Sequence, residues 1–208
     1  TKGQTSPTSE MGKRTKSTPM GSVDRPIMPL TIALAAEATF VARTVDTHTE
    51  HLQGVFERAG RHRGASFVEV LQNCNIFNDG AWKDFTDREF REERMLVLEH
   101  GKPMIFGKDR DKGIRLNGLS PQVVTIGEDG VTEADLLVHD ERAEDPYLAL
   151  ILSRMFWPEF PVPVGVLRAI DRPTHSDLID EQIRAAIEKS GEGDLGKVLL
   201  AGETWTVE

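Results

Sequence analysis

Hydrophobic positions are sparse through residues 1–29 and then arrive in dense runs. The first stretch is rich in Ser, Thr, Gly, Pro and Lys and has no hydrophobic period. It predicts an irregular segment longer than an ordinary connection, of the kind that is either functional or disordered. From Pro29 the pattern changes: Leu30, Ile32, Ala33 and Leu34 predict a short helix opened by a proline. Residues 39–43, Thr-Phe-Val-Ala-Arg, predict a strand from their β-branched and aromatic content. Thr47 or Thr49 can cap a helix whose apolar Leu52, Val55, Phe56 and Ala59 fall at helical spacing, with Arg61, His62 and Arg63 in its last turn and Gly64 as its stop. Residues 66–71, Ser-Phe-Val-Glu-Val-Leu, form the near-continuous apolar run of a strand buried in a parallel sheet. Strand, helix, strand is a βαβ unit, and it places Gln72, Asn73 and Cys74 where open α/β sheets bind ligands, at a strand's C-terminal end.

Beyond this unit the pattern predicts a helix over 87–99 from Phe90, Met95, Leu96 and Leu98, closed by Gly101, and short strands at 103–106 and 123–126. An acidic linker at 140–145 leads into an apolar helix at 146–155, which must pack on its own core or on another chain. Pro158, Pro161 and Pro163 precede a run at 164–169, so that run is expected at a sheet edge. A last amphipathic helix is expected over 176–189, with Leu178, Ile179, Ile183, Ala186 and Ile187 turned inward. There is no internal repeat. The fold class that emerges is α/β, with an open, largely parallel sheet followed by a mixed C-terminal extension.

Composition narrows the function classes. At 208 residues the chain can bury a genuine core. No run approaches the roughly 18 apolar residues of a membrane span, and the polar start does not have the shape of a signal peptide, so a cytoplasmic protein is expected. Residues 1–30 hold five cations (Lys2, Lys13, Arg14, Lys16 and Arg25) against Glu10 and Asp24, whereas the whole chain carries −9. The body is therefore strongly acidic. It repels nucleic acid, while the basic start suits a small anion. Cys74 is the single cysteine, so no internal disulfide can form, and alone it cannot complete a metal site of about four ligands.

Four stretches carry a resemblance: Thr1-Lys2-Gly3-Gln4-Thr5-Ser6-Pro7-Thr8-Ser9, Thr15-Lys16-Ser17-Thr18-Pro19, residues 38–43, and residues 67–79 around Gln72-Asn73-Cys74-Asn75-Ile76-Phe77-Asn78-Asp79. In order and spacing they resemble the beta subunits of thiamine-pyrophosphate-dependent 2-oxoacid:ferredoxin oxidoreductases, with the 2-oxoglutarate type favoured. The resemblance covers roughly residues 1–85.

It implies an enzyme that oxidatively decarboxylates 2-oxoglutarate with coenzyme A, forms succinyl-CoA and CO2, and passes electrons through a 4Fe-4S cluster to ferredoxin. The cofactors it implies are thiamine pyrophosphate, Mg2+ and the cluster, and the partner is the alpha subunit. Thr1, Gly3 and Gln4 are expected near the diphosphate, where a glycine lets backbone N–H groups approach. Lys2 is expected to meet the distal carboxylate of the substrate. Cys74 is expected to be one cluster ligand. The Gly-Asp-Gly motif and the other cluster cysteines of the family are missing, so residues outside this segment would complete each site. Residues 1–115 are accordingly expected to be the C-terminal part of the thiamine-pyrophosphate-binding domain, and 116–208 an extension packing on it and on the partner subunit.

Read without the resemblance, the chain also fits a non-catalytic α/β interaction module, or a cysteine hydrolase pairing Cys74 with His62, His100 or His139. His139 with Asp135, Asp140 and Glu141 could be drawn as a metal cluster, but a solvated acidic loop is the expected state of that stretch.

Overall fold

The computed structural model describes residues 3–205 and 207. Contacts divide the chain into two compact units, Thr1–Asp171 and Arg172–Glu208.

The centre of the first unit is a four-stranded sheet of β1 (Phe40–Val45), β2 (Ser66–Leu71), β3 (Met95–Val97) and β7 (Val162–Ala169), in the order β2-β1-β7-β3. β1 and β2 are parallel, as the βαβ pattern predicts, with Phe40 opposite Ser66 and Val45 opposite Leu71. The helix between them is α2 (Thr49–Arg61). β3 runs parallel to β7, while β7 is antiparallel to β1, so two of the three pairings are parallel.

Every residue of β1 is buried because both faces of the sheet are covered. Val41 joins a large core with Leu30 and Leu34 of α1 (Pro29–Ala35), Leu96, Leu167, and Leu152 of α5 (Tyr147–Arg154). Phe40 and Ala42 face the other way, toward Val55 of α2 and Val166. The period-2 alternation of the strand thus sorts its side chains between two helical layers.

Two expectations fail here. The run at 164–169 is not at an edge: β7 lies between β1 and β3. Its proline at 163 pairs with Leu96 of β3 and lies before Gly165, where pairing with β1 begins, so the missing N–H removes no bond to β1. Gly165 is required by close approach, since a Cβ there would sit 3.0 Å from the Leu98 carbonyl oxygen and its φ is +121°. The helix expected over 87–99 is also broken. Only α3 (Lys83–Thr86) and α4 (Arg91–Arg94) are helical around it, and Met95–Val97 is strand. Met95 and Leu96 are buried beside β7, and that pairing overrides the helical spacing.

The strands expected at 103–106 and 123–126 belong to a second, antiparallel sheet, β4 (Ile105–Phe106), β5 (Lys112–Asn117) and β6 (Ser120–Thr125). Its hairpin turns at Gly118 and Leu119. The second unit holds α6 (His175–Ser190), opened by a capping box of Thr174 and Asp177, and α7 (Leu195–Leu199). Neither helix buries a residue, so the inward placement expected for Leu178, Ile179, Ile183, Ala186 and Ile187 is not observed. Among the described residues no helix is long and apolar enough to cross a membrane.

Candidate functional site

The C-terminal ends of β1 and β2 lie side by side, and the chain leaves both there. Past Leu71 it enters a loop whose polar groups lace back onto the strand ends. Asn73 carries most of that work. Its backbone N–H donates to Asp46 Oδ2 (2.9 Å), its side-chain amide donates to Asp79 Oδ1 (2.8 Å), and its amide oxygen accepts from the Gly80 N–H (2.8 Å). The Trp82 indole donates to the Gln72 carbonyl (3.1 Å). Trp82 itself sits edge-on to Phe156, 5.9 Å away, over an aromatic cluster with Phe85. The loop is therefore fastened at both ends, with Cys74 between.

Cys74 opens a tight turn. The Asn78 N–H donates to its carbonyl at 2.9 Å, and the two residues form an isolated antiparallel bridge. The thiol is free and exposed. The backbone amides of Phe77, then Ile76, lower its pKa, opposed by burial, with smaller effects from the Asn78 amide, which lowers it, and from Asp79, which raises it. A lowered pKa favours the thiolate, which is the form that ligates metals or attacks as a nucleophile.

The basic N-terminal arm meets this turn. Gly3 adopts φ +67°, and a Cβ there would stand 3.5 Å from the Phe77 ring. The Lys13 ammonium donates to the Asn78 side-chain oxygen and also pairs with Glu10 at 2.9 Å. The arm is irregular in secondary structure, as expected, yet folded by its own turns: Gly12 N–H to Ser22 O (2.7 Å), Ser22 N–H to Lys13 O (3.0 Å) and Ile27 N–H to Pro7 O (2.9 Å). The structure thus brings Gly3 and the Cys74 turn together, with Gln4 exposed on the same arm. Thr1 and Lys2 lie outside the described residues. Lys13, Phe77 and Asn78 were not singled out by the sequence. The only available signal was their membership of the basic start and of the stretch around Cys74, because the contact joining them spans 65 positions.

The structure does not support a hydrolase. His62 shares a hydrogen bond with Thr39 (2.8 Å) just before β1, at the opposite end of the parallel strands from Cys74. A six-residue strand separates the two ends by roughly 20 Å. His100 faces Asp140 at 3.5 Å, and His139 is buried with Nε2 on the Val166 carbonyl at 2.7 Å. The expectation of a solvated loop around His139 is also corrected: His139 and Glu141 are both buried, the latter paired with Arg58 at 2.7 Å. Among the described residues no three His, Cys, Asp or Glu side chains gather as a metal site. What Cys74 offers is one exposed soft ligand on a fixed turn.

No protein-family model matches the chain. Among individual proteins, 2-oxoglutarate oxidoreductase subunit KorB of Mycobacterium tuberculosis is 43% identical over 211 aligned residues, covering 100% of the chain and 56% of that protein. The 2-oxoacid:ferredoxin oxidoreductase subunit beta of Saccharolobus solfataricus is 38% identical over 88 residues, 42% of the chain and 29% of the relative. The chain therefore spans little more than half the length of the first of these relatives. Its fold is similar to that of a solved 2-oxoglutarate:ferredoxin oxidoreductase from Magnetococcus marinus with 2-oxoglutarate, coenzyme A and succinyl-CoA bound. The TM-score is 0.62 at 22% identity, over 98% of the chain and 54% of that one.

Proposed function

We propose that this chain, which belongs to the beta-subunit family of the 2-oxoacid:ferredoxin oxidoreductases, supplies part of the active site of a 2-oxoglutarate:ferredoxin oxidoreductase. In that reading residues 1–115 are the C-terminal part of a thiamine-pyrophosphate-binding domain, and 116–208 are an extension that packs on it and on an alpha subunit. The assembly is cytoplasmic, converts 2-oxoglutarate and coenzyme A into succinyl-CoA and CO2, and hands the electrons singly to ferredoxin. Bound thiamine pyrophosphate with Mg2+ supplies the decarboxylation chemistry, and a 4Fe-4S cluster supplies the one-electron steps.

The observation that carries the reading is the geometry of Cys74. Its thiol is free and exposed on a turn fastened by Asn73 at the C-terminal ends of β1 and β2, and neighbouring amides lower its pKa toward the thiolate that ligates iron. Cys74 holds one iron in this scheme, and the remaining ligands come from outside the segment. Gly3, left-handed and pressed toward Phe77, keeps the arm close to the turn. Gln4 and Thr1 approach the diphosphate from that arm. Lys2 gives the pocket a cation for the distal carboxylate, which 2-oxoglutarate has and a monocarboxylic 2-oxoacid lacks.

The test is made on the complete natural enzyme. Cys74→Ser should bleach the broad visible absorption of the cluster and abolish reduction of a low-potential acceptor by 2-oxoglutarate and coenzyme A. Full colour and full electron transfer in that variant would sink the assignment. Lys2→Ala should impair use of 2-oxoglutarate more than use of pyruvate, and equal losses would remove Lys2 from substrate choice.

A further inference from the structure

We infer that a cavity between the N-terminus of α2 and the Gly107–Arg110 turn before β5 is a binding site for a small oxyanion of at least two negative charges, a phosphate ester or a dicarboxylate. It is lined by no residue of the Cys74 turn, so it stands independently of the reading above.

The cavity holds about 400 Å3, within the range of small-ligand sites. Its lining brings together His48, Arg91, Lys102 and Arg110, with Glu92 and Glu99 as the acidic members. Among the described residues the side chains of Arg91, Lys102 and Arg110 make no hydrogen bond or ion pair. Three unpaired cations on one concavity repel one another and gain from a shared counter-ion. The charge of Arg91 already reaches His48, whose pKa is lowered by burial and then by Arg91.

His48 contributes a second observation. Its Nδ1 is buried and has no hydrogen-bond partner, a state that costs free energy unless a ligand satisfies it. His48 is also the N-cap of the thirteen-residue α2 and makes no side-chain capping bond. The opposite wall is fixed rather than loose. The Gly107 N–H donates to the Glu92 carbonyl (2.8 Å), the Arg110 N–H to the Gly107 carbonyl (3.0 Å), and the His139 N–H to the Lys102 carbonyl (2.9 Å). Among the described residues Glu92 and Glu99 form no ion pair with the cations but offset part of their charge, three cations against two carboxylates leaving a formal balance of +1 in the lining. They add acceptors for a hydroxyl or amino group carried by the same ligand, which favours an organic anion over a bare one.

The experiment is calorimetric titration of the complete natural subunit, its cofactor site already filled with thiamine pyrophosphate, with inorganic phosphate at low ionic strength, repeated with the partner subunit present. One saturable site is expected, weakened about tenfold or more in Arg91→Gln/Arg110→Gln and in Lys102→Gln, and unchanged in Cys74→Ser. Competition by ADP or by 2-oxoglutarate then identifies the phosphate-ester or the dicarboxylate source. Absence of saturable binding, equal binding in the charge variants, or a site present in the lone subunit but lost in the assembly each overturns the inference. The last outcome would assign the cavity to a protein contact.

Discussion

The Cys74 turn and the paired arginines of the central sheet are both polar assemblies in the first unit, yet they are built on opposite terms. Around Cys74 the reactive group is exposed, and the bonds that shape the turn run between neighbours in sequence and the ends of β1 and β2. In the sheet the charges themselves are hidden. Arg43 on β1 is 1% exposed, with Nε on Glu69 at 2.6 Å, Nη2 on the Ser153 carbonyl at 3.2 Å, and its cation 5.4 Å above Phe156. Arg168 on β7 is equally buried and donates to the carbonyls of Ala38 (3.2 Å) and Glu144 (2.7 Å). The first arrangement leaves a ligand available for chemistry. The second ties β1, β2, β7 and the chain before β1 together, at the cost of desolvating two cations.

If that contrast is right, the largest loss of stability comes from the sheet. Arg43→Met leaves Glu69 nearly buried without its cation, and is expected to cost about 3 kcal/mol in urea unfolding. Adding Glu69→Met should recover much of it, because the unpaired charge is removed. A single variant no worse than an ordinary surface change would show that the pair does not hold the strands.

Acid should act next, also through the body. The pKa of His51 is pushed down to about 4 by burial and by His48, and those of His48 and His139 are lowered chiefly by burial. Unfolded, each imidazole titrates near 6.5. The unfolded chain therefore binds more protons, and stability present above that pH is lost as pH falls from about 6.5 through about 4. Urea midpoints across that window should fall, and His51→Gln should flatten the slope. A pH-independent midpoint would contradict the burial argument.

The turn should be the more tolerant region. Asn73→Ala removes two side-chain bonds and is expected to cost about 1–2 kcal/mol, with faster amide exchange over residues 73–80. Lys13→Ala should cost about 1 kcal/mol, since a part-buried contact to Asn78 and an ion pair to the exposed Glu10 are lost. Its clearest effect is local, as increased exchange at Asn78 with only a small shift of the global midpoint. If Lys13→Ala unfolded the protein at a lower midpoint than Arg43→Met, the contrast between the two regions would be inverted.

Much of the first unit was legible because its signals are local. The helix from Pro29, the β1–α2–β2 unit and the position of Cys74 beyond a parallel strand all follow from spacing within a dozen residues. The stretch 87–99 was misread for the converse reason: Met95 and Leu96 suit a helix face as well as a strand, and β7, far along the chain, decides between them. The same applies to β7, whose prolines read as an edge signal until its register shows that Pro163 faces only β3.

The sequence by itself determined the α/β class, the elements around Cys74 and the chemistry that one soft ligand and a basic arm can offer. Residue types and short-range periods encode those properties directly. Tertiary structure decided which side chains meet across long separations: Lys13 with Asn78, Arg43 with Glu69 and Ser153, His139 with Val166, and the four basic groups around one cavity. Each of those contacts depends on how distant segments are brought together, which no local pattern records. Through the first of them the basic arm is held against the turn that carries the exposed thiol.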